Sequence, residues 1–195
     1  MNELIFTLAA AALILILLLA FGRSFSSVPA RQLARHIAAQ AVATAATGGT
    51  GAEEYRLDDR WPYTHGVMSY PAGPGTSACE QWWSELIARL AGDEVDLVEG
   101  DPAHGDLTNI LQARVAASRI ASSNVRPASY RGGPLDTDQI LHDARRQARE
   151  ILADHQPWVD AVAAALLCTG RLTGLDVMML GDVVRGSGHP VGVAA

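Results

Sequence analysis

The longest apolar run in the chain is Leu4 to Phe21, LIFTLAAAALILILLLAF, eighteen residues with Thr7 as the only polar side chain. As a helix rising about 1.5 Å per residue, it is long enough to cross the hydrocarbon core of a bilayer. A secretory signal would open on basic residues and carry a shorter run, whereas this one follows Met1-Asn2-Glu3, which has no basic side chain. An uncleaved single-pass anchor over residues 1–22 is therefore predicted. Arg23, Arg31 and Arg35 follow the run while Glu3 precedes it, so the positive-inside bias puts everything after residue 22 on the cytoplasmic side.

Beyond a Ser-rich linker over residues 23–29, ending in Pro29, the pattern turns to helical spacing. Leu33, Ile37, Ala41 and Ala45 form a stripe with Ala34, Ala38 and Val42 beside it. This predicts a buried helix over about 30–46, ended by Gly48, Gly49 and Gly51. Residues 54–76 are irregular and carry several Pro and Gly. Within them Gly66-Val67-Met68-Ser69-Tyr70-Pro71 is the best strand candidate, and the lack of sustained alternation elsewhere limits any sheet to a small one. Helical spacing returns over Ser77–Leu90, through Trp83, Leu86, Ile87 and Leu90, and over Leu107–Ser122, through Ile110, Ala113, Ala117 and Ile120. Of the adjacent Trp82 and Trp83, one is expected in the core and the other partly exposed. Asn124 to Pro134 reads as a polar, mobile loop. Asp136 offers a cap for a long helix carrying Ile140, Ala144, Ala148, Ile151 and Leu152. Pro157 suits the first turn of the next, with Val159, Val162, Ala163, Leu166 and Leu167 inward and Gly170 as its stop. Thr173 caps a last short helix, Gly174–Leu180, and residues 183–195 form a Gly-rich flexible tail. The fold class read from this pattern is mainly α: one helical domain over residues 30–182, with at most a small β element, behind a single-pass anchor.

Composition narrows the partners. The chain has 195 residues, 49% of them hydrophobic, and a net charge of −6. It contains no Lys, so all 15 basic residues are Arg, a bias that a GC-rich genome accounts for. An acidic chain without a basic cluster excludes nucleic acid as the expected partner. Cys79 and Cys168 form no C-x-x-C and no metal-ligand spacing, and both are expected to be free, buried thiols in a reducing compartment.

The candidate chemistry sits in the first soluble helix. His36 and Gln40 lie four apart, one turn above each other on one face. Zinc proteases use that spacing as H-E-x-x-H, two imidazoles holding the metal and the Glu acting as base on its water. Here the positions read His36-Ile37-Ala38-Ala39-Gln40. The remaining histidines, His65, His104, His142, His155 and His189, fall on loops or separate helical faces, where surface or cap roles are the expected ones. His104-x-Asp106 is the one constellation in the sequence to set beside His36 as a displaced metal site.

The order of these pieces resembles the peptidase domain of the FtsH-type membrane zinc proteases, over about Ala30 to Leu180. QAVATAATG follows the degenerate H-x-x-x-Q helix as a small-residue run follows H-E-A-G-H in that family. GVMSYP resembles its strand ending in Pro, and LIARLAGDEVDLVEGD its apolar helix running into an acidic, Gly-bearing segment. HGDLTNILQARVAASRI resembles the helix that begins near the third zinc ligand. DTDQILHDARRQAREILADHQPWVDAVAAALLCTGRLTGLDVMML resembles the last helices almost element by element.

The resemblance implies that His36 matches the first zinc ligand, that Ile37 stands in place of the catalytic Glu, and that Gln40 stands in place of the second His. It aligns Asn109 with the third ligand, an Asp, with Asp106 as the alternative if the register slips by three. One imidazole and one carboxylate fall short of the three or four protein ligands a zinc site uses. No catalytic residue and no bound zinc are therefore expected. The family's ATPase module is also missing: the chain has no G-x-x-x-x-G-K-[ST], and eight residues separate Phe21 from Ala30, so no ATP cofactor is expected. The reading is an inactive relative of that peptidase domain at a bacterial-type inner membrane, acting by binding, with self-association or an FtsH-type protease as the expected partner. The alternative is an active zinc metallopeptidase with a non-standard site at His36, His104 and Asp106.

Overall fold

A computed structural model of the chain describes residues 30–49, 54–57, 77–98 and 107–187. The predicted anchor, the strand candidate at 66–71, and His65, His104, Asp106 and His189 lie outside the described residues. Among those described, no helix is long and apolar enough to cross a membrane.

Six helices and one two-stranded ladder make up the described residues: α1 (Ala30–Ala46), β1 (Glu54–Arg56), α2 (Ala78–Val98), α3 (Leu107–Ser123), α4 (Thr137–Asp154), α5 (Gln156–Thr169), β2 (Arg171–Thr173) and α6 (Gly174–Ser187). The mainly α class and the small sheet are as expected. Helix α1 is central: α2 packs on one side of it and α5 on another, with α4 and α6 also in contact. Helix α2 in turn carries α3 and α4. Small side chains make this closeness possible, since Ala34, Ala38, Ala39, Val42 and Ala43 are all fully buried. Interaxial distance follows the size of the side chains at the contact, and small residues at a helix surface permit close approach.

Burial on α1 agrees with the predicted stripe at Ala34, Ala38, Ala41 and Val42 and differs from it elsewhere. Leu33, Ile37 and Ala45 are half-buried, whereas Gln32, His36, Gln40 and Thr44 are buried beside the alanines. The moment of an Ala-rich helix is weak, and packing from several sides, rather than one apolar stripe, decides what is covered.

Helix α2 runs eight residues past the predicted end at Leu90 and reaches Val98. Trp83, Leu86, Ile87 and Leu90 are buried as expected, and Trp82 is only partly covered. On α3 the inward face holds Ala113, Ala116, Ala117 and Ile120, but Ile110 is 46% exposed and is not part of it. Leu167 of α5 is likewise exposed at 43%, while Val159, Val162, Ala163 and Leu166 face inward. Both misplaced residues lie at the margin of their helix's apolar arc, where a half-turn decides burial.

The ladder was not foreseen in residues 54–56, which read as irregular. It is antiparallel, with Glu54 opposite Thr173, Tyr55 opposite Leu172 and Arg56 opposite Arg171. Tyr55 and Leu172 point inward at 2% and 7% exposure. Three residues of alternation are too few to stand out in a sequence.

The end signals near the C-terminus behave as read. Asp136 accepts hydrogen bonds from the backbone N–H groups of Asp138 and Gln139 and caps α4. Gly170 takes φ 71° and ends α5, the left-handed conformation that glycine adopts without a Cβ penalty. Thr173 and Asp176 then form a reciprocal cap on α6: the Asp176 N–H donates to Thr173 Oγ1 at 3.2 Å and the Thr173 N–H donates to Asp176 Oδ2 at 2.8 Å. Helix α6 continues to Ser187, so the predicted tail boundary at residue 183 falls inside a helix.

The loop Asn124–Pro134 makes specific contacts to α2. Cys79 Sγ donates to the Val125 carbonyl at 3.0 Å, and the Ala128 N–H donates to the Glu80 carboxylate. Tyr130 is 4% exposed and meets Trp83 edge-on at 5.2 Å. Cys79 is a buried thiol as expected, but Cys168 is exposed.

Candidate functional site

His36 and Gln40 project from α1 toward α2 and are 5% and 4% exposed. Gln40 Nε2 lies 2.9 Å from His36 Nε2. The amide nitrogen is a donor only, so the ring nitrogen accepts, and the imidazole proton sits on Nδ1. The lone pair that would face a metal is thus directed at an amide N–H. One turn further on, Thr44 Oγ1 donates to the Gln40 carbonyl at 2.8 Å, and Thr47 Oγ1 meets Ser84 Oγ of α2 at 2.6 Å. His36, Gln40, Thr44 and Thr47 therefore form a polar seam along α1 whose end is tied to α2.

Gly92 closes this seam. A Cβ there would lie 2.6 Å from His36 Cε1, 2.7 Å from His36 Nε2 and 3.0 Å from Gln40 Cγ. The backbone of α2 thus rests against the imidazole and leaves no room for a bound ion with its water on that side. Ile37 is half-buried and packs against the core. In place of an acid it supplies apolar contact.

The sequence-predicted ligand set is brought together only in part. His36 and Gln40 touch; Asn109 belongs to the first turn of α3, with its side chain outside the described residues, as is Asp106. Helix α3 packs on α2 and α4. Among the described residues no three His, Cys, Asp or Glu side chains are grouped as metal ligands. Among the described residues, His36 and Gln40 do not by themselves fit a protease zinc: one imidazole nitrogen is engaged, and its neighbour is an amide with weak affinity for zinc. His142 is exposed and His155 forms the junction between α4 and α5, its N–H donating to Ile151.

Two buried carboxylate centres were not foreseen. Glu94 of α2, 5% exposed, accepts from Arg149 Nε at 2.5 Å, Arg149 Nη2 at 3.2 Å and Arg145 Nε at 3.0 Å. The hydrogen bond and charge of Glu94 push the Arg149 guanidinium pKa up. Beside this cluster a cavity of about 280 Å³ is lined by Arg35, Val95, Leu152 and Gln156 among others. Asp143 of α4, 3% exposed, accepts from Gln139 Nε2 at 3.0 Å and pairs with Arg146 at 2.9 Å. Burial pushes its pKa up. The hydrogen bonds from Gln139 and Tyr130 and the Arg146 charge outweigh this and hold the carboxyl below its ordinary range. Tyr130 is pushed up, first by burial and then by the hydrogen bond and charge of Asp143.

A signal for Glu94 was present in the sequence: it continues the Ile87, Leu90, Ala91 stripe at helical spacing, while Arg145 and Arg149 stand four apart on another helix. A carboxylate on an apolar face calls for a cation, and an Arg pair one turn apart provides it. Comparison with known protein-family models finds none that matches the chain, and comparison with curated proteins finds no match either.

Proposed function

We propose that this protein is a membrane-anchored, catalytically inactive relative of the FtsH-type zinc protease peptidase domain, and that it acts by binding proteins or by assembly. The observation that carries this reading is the His36–Gln40 hydrogen bond at 2.9 Å beneath Gly92. A hydrolytic zinc needs three protein ligands, an open coordination position and a base to take a proton from its water. At the position the resemblance assigns to the base stands Ile37, and at the second ligand stands an amide that holds the first. The polar seam supports helix packing instead of water activation. The apolar run before residue 22 supports an anchor, with the helical domain on the cytoplasmic face.

The reading is tested on the full chain in detergent, supplied with excess zinc and unfolded casein. No cleavage above a buffer control is expected. Casein cleavage that disappears in His36→Ala would overturn the reading and favour a displaced metal site. Affinity capture of the tagged full chain from membranes of its source organism should recover an FtsH-type protease or an untagged copy of the chain.

A further inference from the structure

The cavity beside Glu94 lies where α1, α2, α4 and α5 meet. Its volume of about 280 Å³ is several times the ~30 Å³ that one water occupies in the liquid, so it has room for an organic molecule. Part of the lining is apolar: Val95 and Leu152 are 9% and 8% exposed, and the short side chain of Ala153 adjoins them. The remainder is polar and is dominated by guanidinium groups.

Charge is unevenly matched around it. Arg35 of α1 and Gln156 of α5 both bond Asp160, at 3.3 Å and 3.0 Å, so that acid is engaged by its own neighbours. Glu94, by contrast, is one carboxylate between two cations, with Arg145 Nε at 3.0 Å and Arg149 Nε at 2.5 Å. Among the described residues neither arginine meets a second acid, so this trio carries one positive charge more than it neutralises. Its pairing also leaves donors over. Arg149 turns Nε and Nη2 to Glu94, whereas a guanidinium has five N–H groups. Its side chain is 62% exposed and lines the cavity with Nη1 still available.

A singly charged acid matches that excess, and a planar carboxylate matches the remaining guanidinium edge. A bare dianion would overshoot the charge and lose hydration against Val95 and Leu152 without gaining a partner there. We propose that this cavity binds a small organic monocarboxylate, with the carboxylate on Arg149 and an apolar body against Val95, Leu152 and Ala153. The site is independent of the inactive-protease reading, since none of its residues belongs to the His36–Gln40 seam.

Isothermal titration calorimetry of the full chain in detergent tests it. The probes are 3-phenylpropanoate, its uncharged counterpart 3-phenylpropanamide, and inorganic phosphate as a bare anion. The carboxylate is expected to saturate one site per chain with a Kd at or below about 1 mM, and the amide and phosphate to bind at least roughly tenfold more weakly. Arg149→Gln removes the cation at the cavity and keeps Arg145 on Glu94; it should weaken carboxylate binding by roughly tenfold or more. Ala153→Phe fills the cavity from an exposed helix position without altering a charge, and should weaken binding as much. Circular dichroism verifies that each variant is folded. No saturation by the carboxylate up to about 10 mM, an amide or phosphate that binds as tightly, or unchanged binding in either folded variant overturns the proposal.

Discussion

At the residue scale, the decisive contact is the one between His36 and Gln40 under Gly92. Gly92→Ala would place a methyl group within 2.6 Å of the imidazole, so the helices must separate or the ring must turn. A cost of about 1–3 kcal/mol is expected, as for overpacking of a tight core, and thermal unfolding of the full chain measures it. Gln40→Ala removes the amide that faces His36 Nε2 and should cost a similar amount, about 1–3 kcal/mol, for a buried polar atom deprived of that partner. Asp143 gives a pH signature. Its folded pKa is held below the unfolded value, so its stabilisation is present in full above about pH 5 and fades as pH falls through the folded pKa. Asp143→Asn should therefore lower the melting temperature at neutral pH, with the gap to wild type narrowing as pH falls below about 5 and through the folded pKa. A gap that stayed constant over that range would show that the charge of Asp143 contributes nothing. Of these residues, the sequence alone exposed His36, Ile37 and Gln40, because their spacing is one helical turn. Gly92 and Asp143 were not legible: contacts between distant helices decide their roles, and no local spacing encodes them.

At the element scale, helix ends were read more faithfully than helix faces. Asp136, Pro157, Gly170 and Thr173 act through local geometry that a few residues determine, and each stands where the cap or stop was expected. Asp136→Ala should cost about 1 kcal/mol, within the usual range for losing an N-cap, as read by chemical denaturation. Faces were misread where a helix has a weak stripe. On α1 the alanines of the expected stripe are buried but Leu33 and Ile37 are only half-buried, and His36, Gln40 and Thr44 are buried beside the alanines, because close packing from several sides leaves little of the helix uncovered. The apolar repeat that marks α2 in the sequence ends at Leu90, whereas the helix continues to Val98; Arg145 and Arg149 supply the charge that lets Glu94 stay buried inside it. Glu94→Ala would remove the shared acceptor of two arginines and should destabilise the packing of α4 on α2.

At the scale of the whole molecule, the helical class and the single small β element were legible because they depend on summed spacing over many residues. The β1–β2 pairing was not, since its three-residue strands are joined by residues far apart in the chain. The candidate site was legible as a spacing and became chemically specific only when the packing of α1 on α2 was known. The buried His36–Gln40 contact beneath Gly92 is the feature on which the proposed binding role rests. The central claim is that His36 and Gln40 form a packing pair and hold no metal. Metal analysis of the full chain, purified in detergent without chelator and then equilibrated with zinc and desalted, tests it most directly. Less than about a tenth of an equivalent of zinc is the expected result, unchanged in His36→Ala; close to one equivalent in wild type, lost in His36→Ala, would contradict the account.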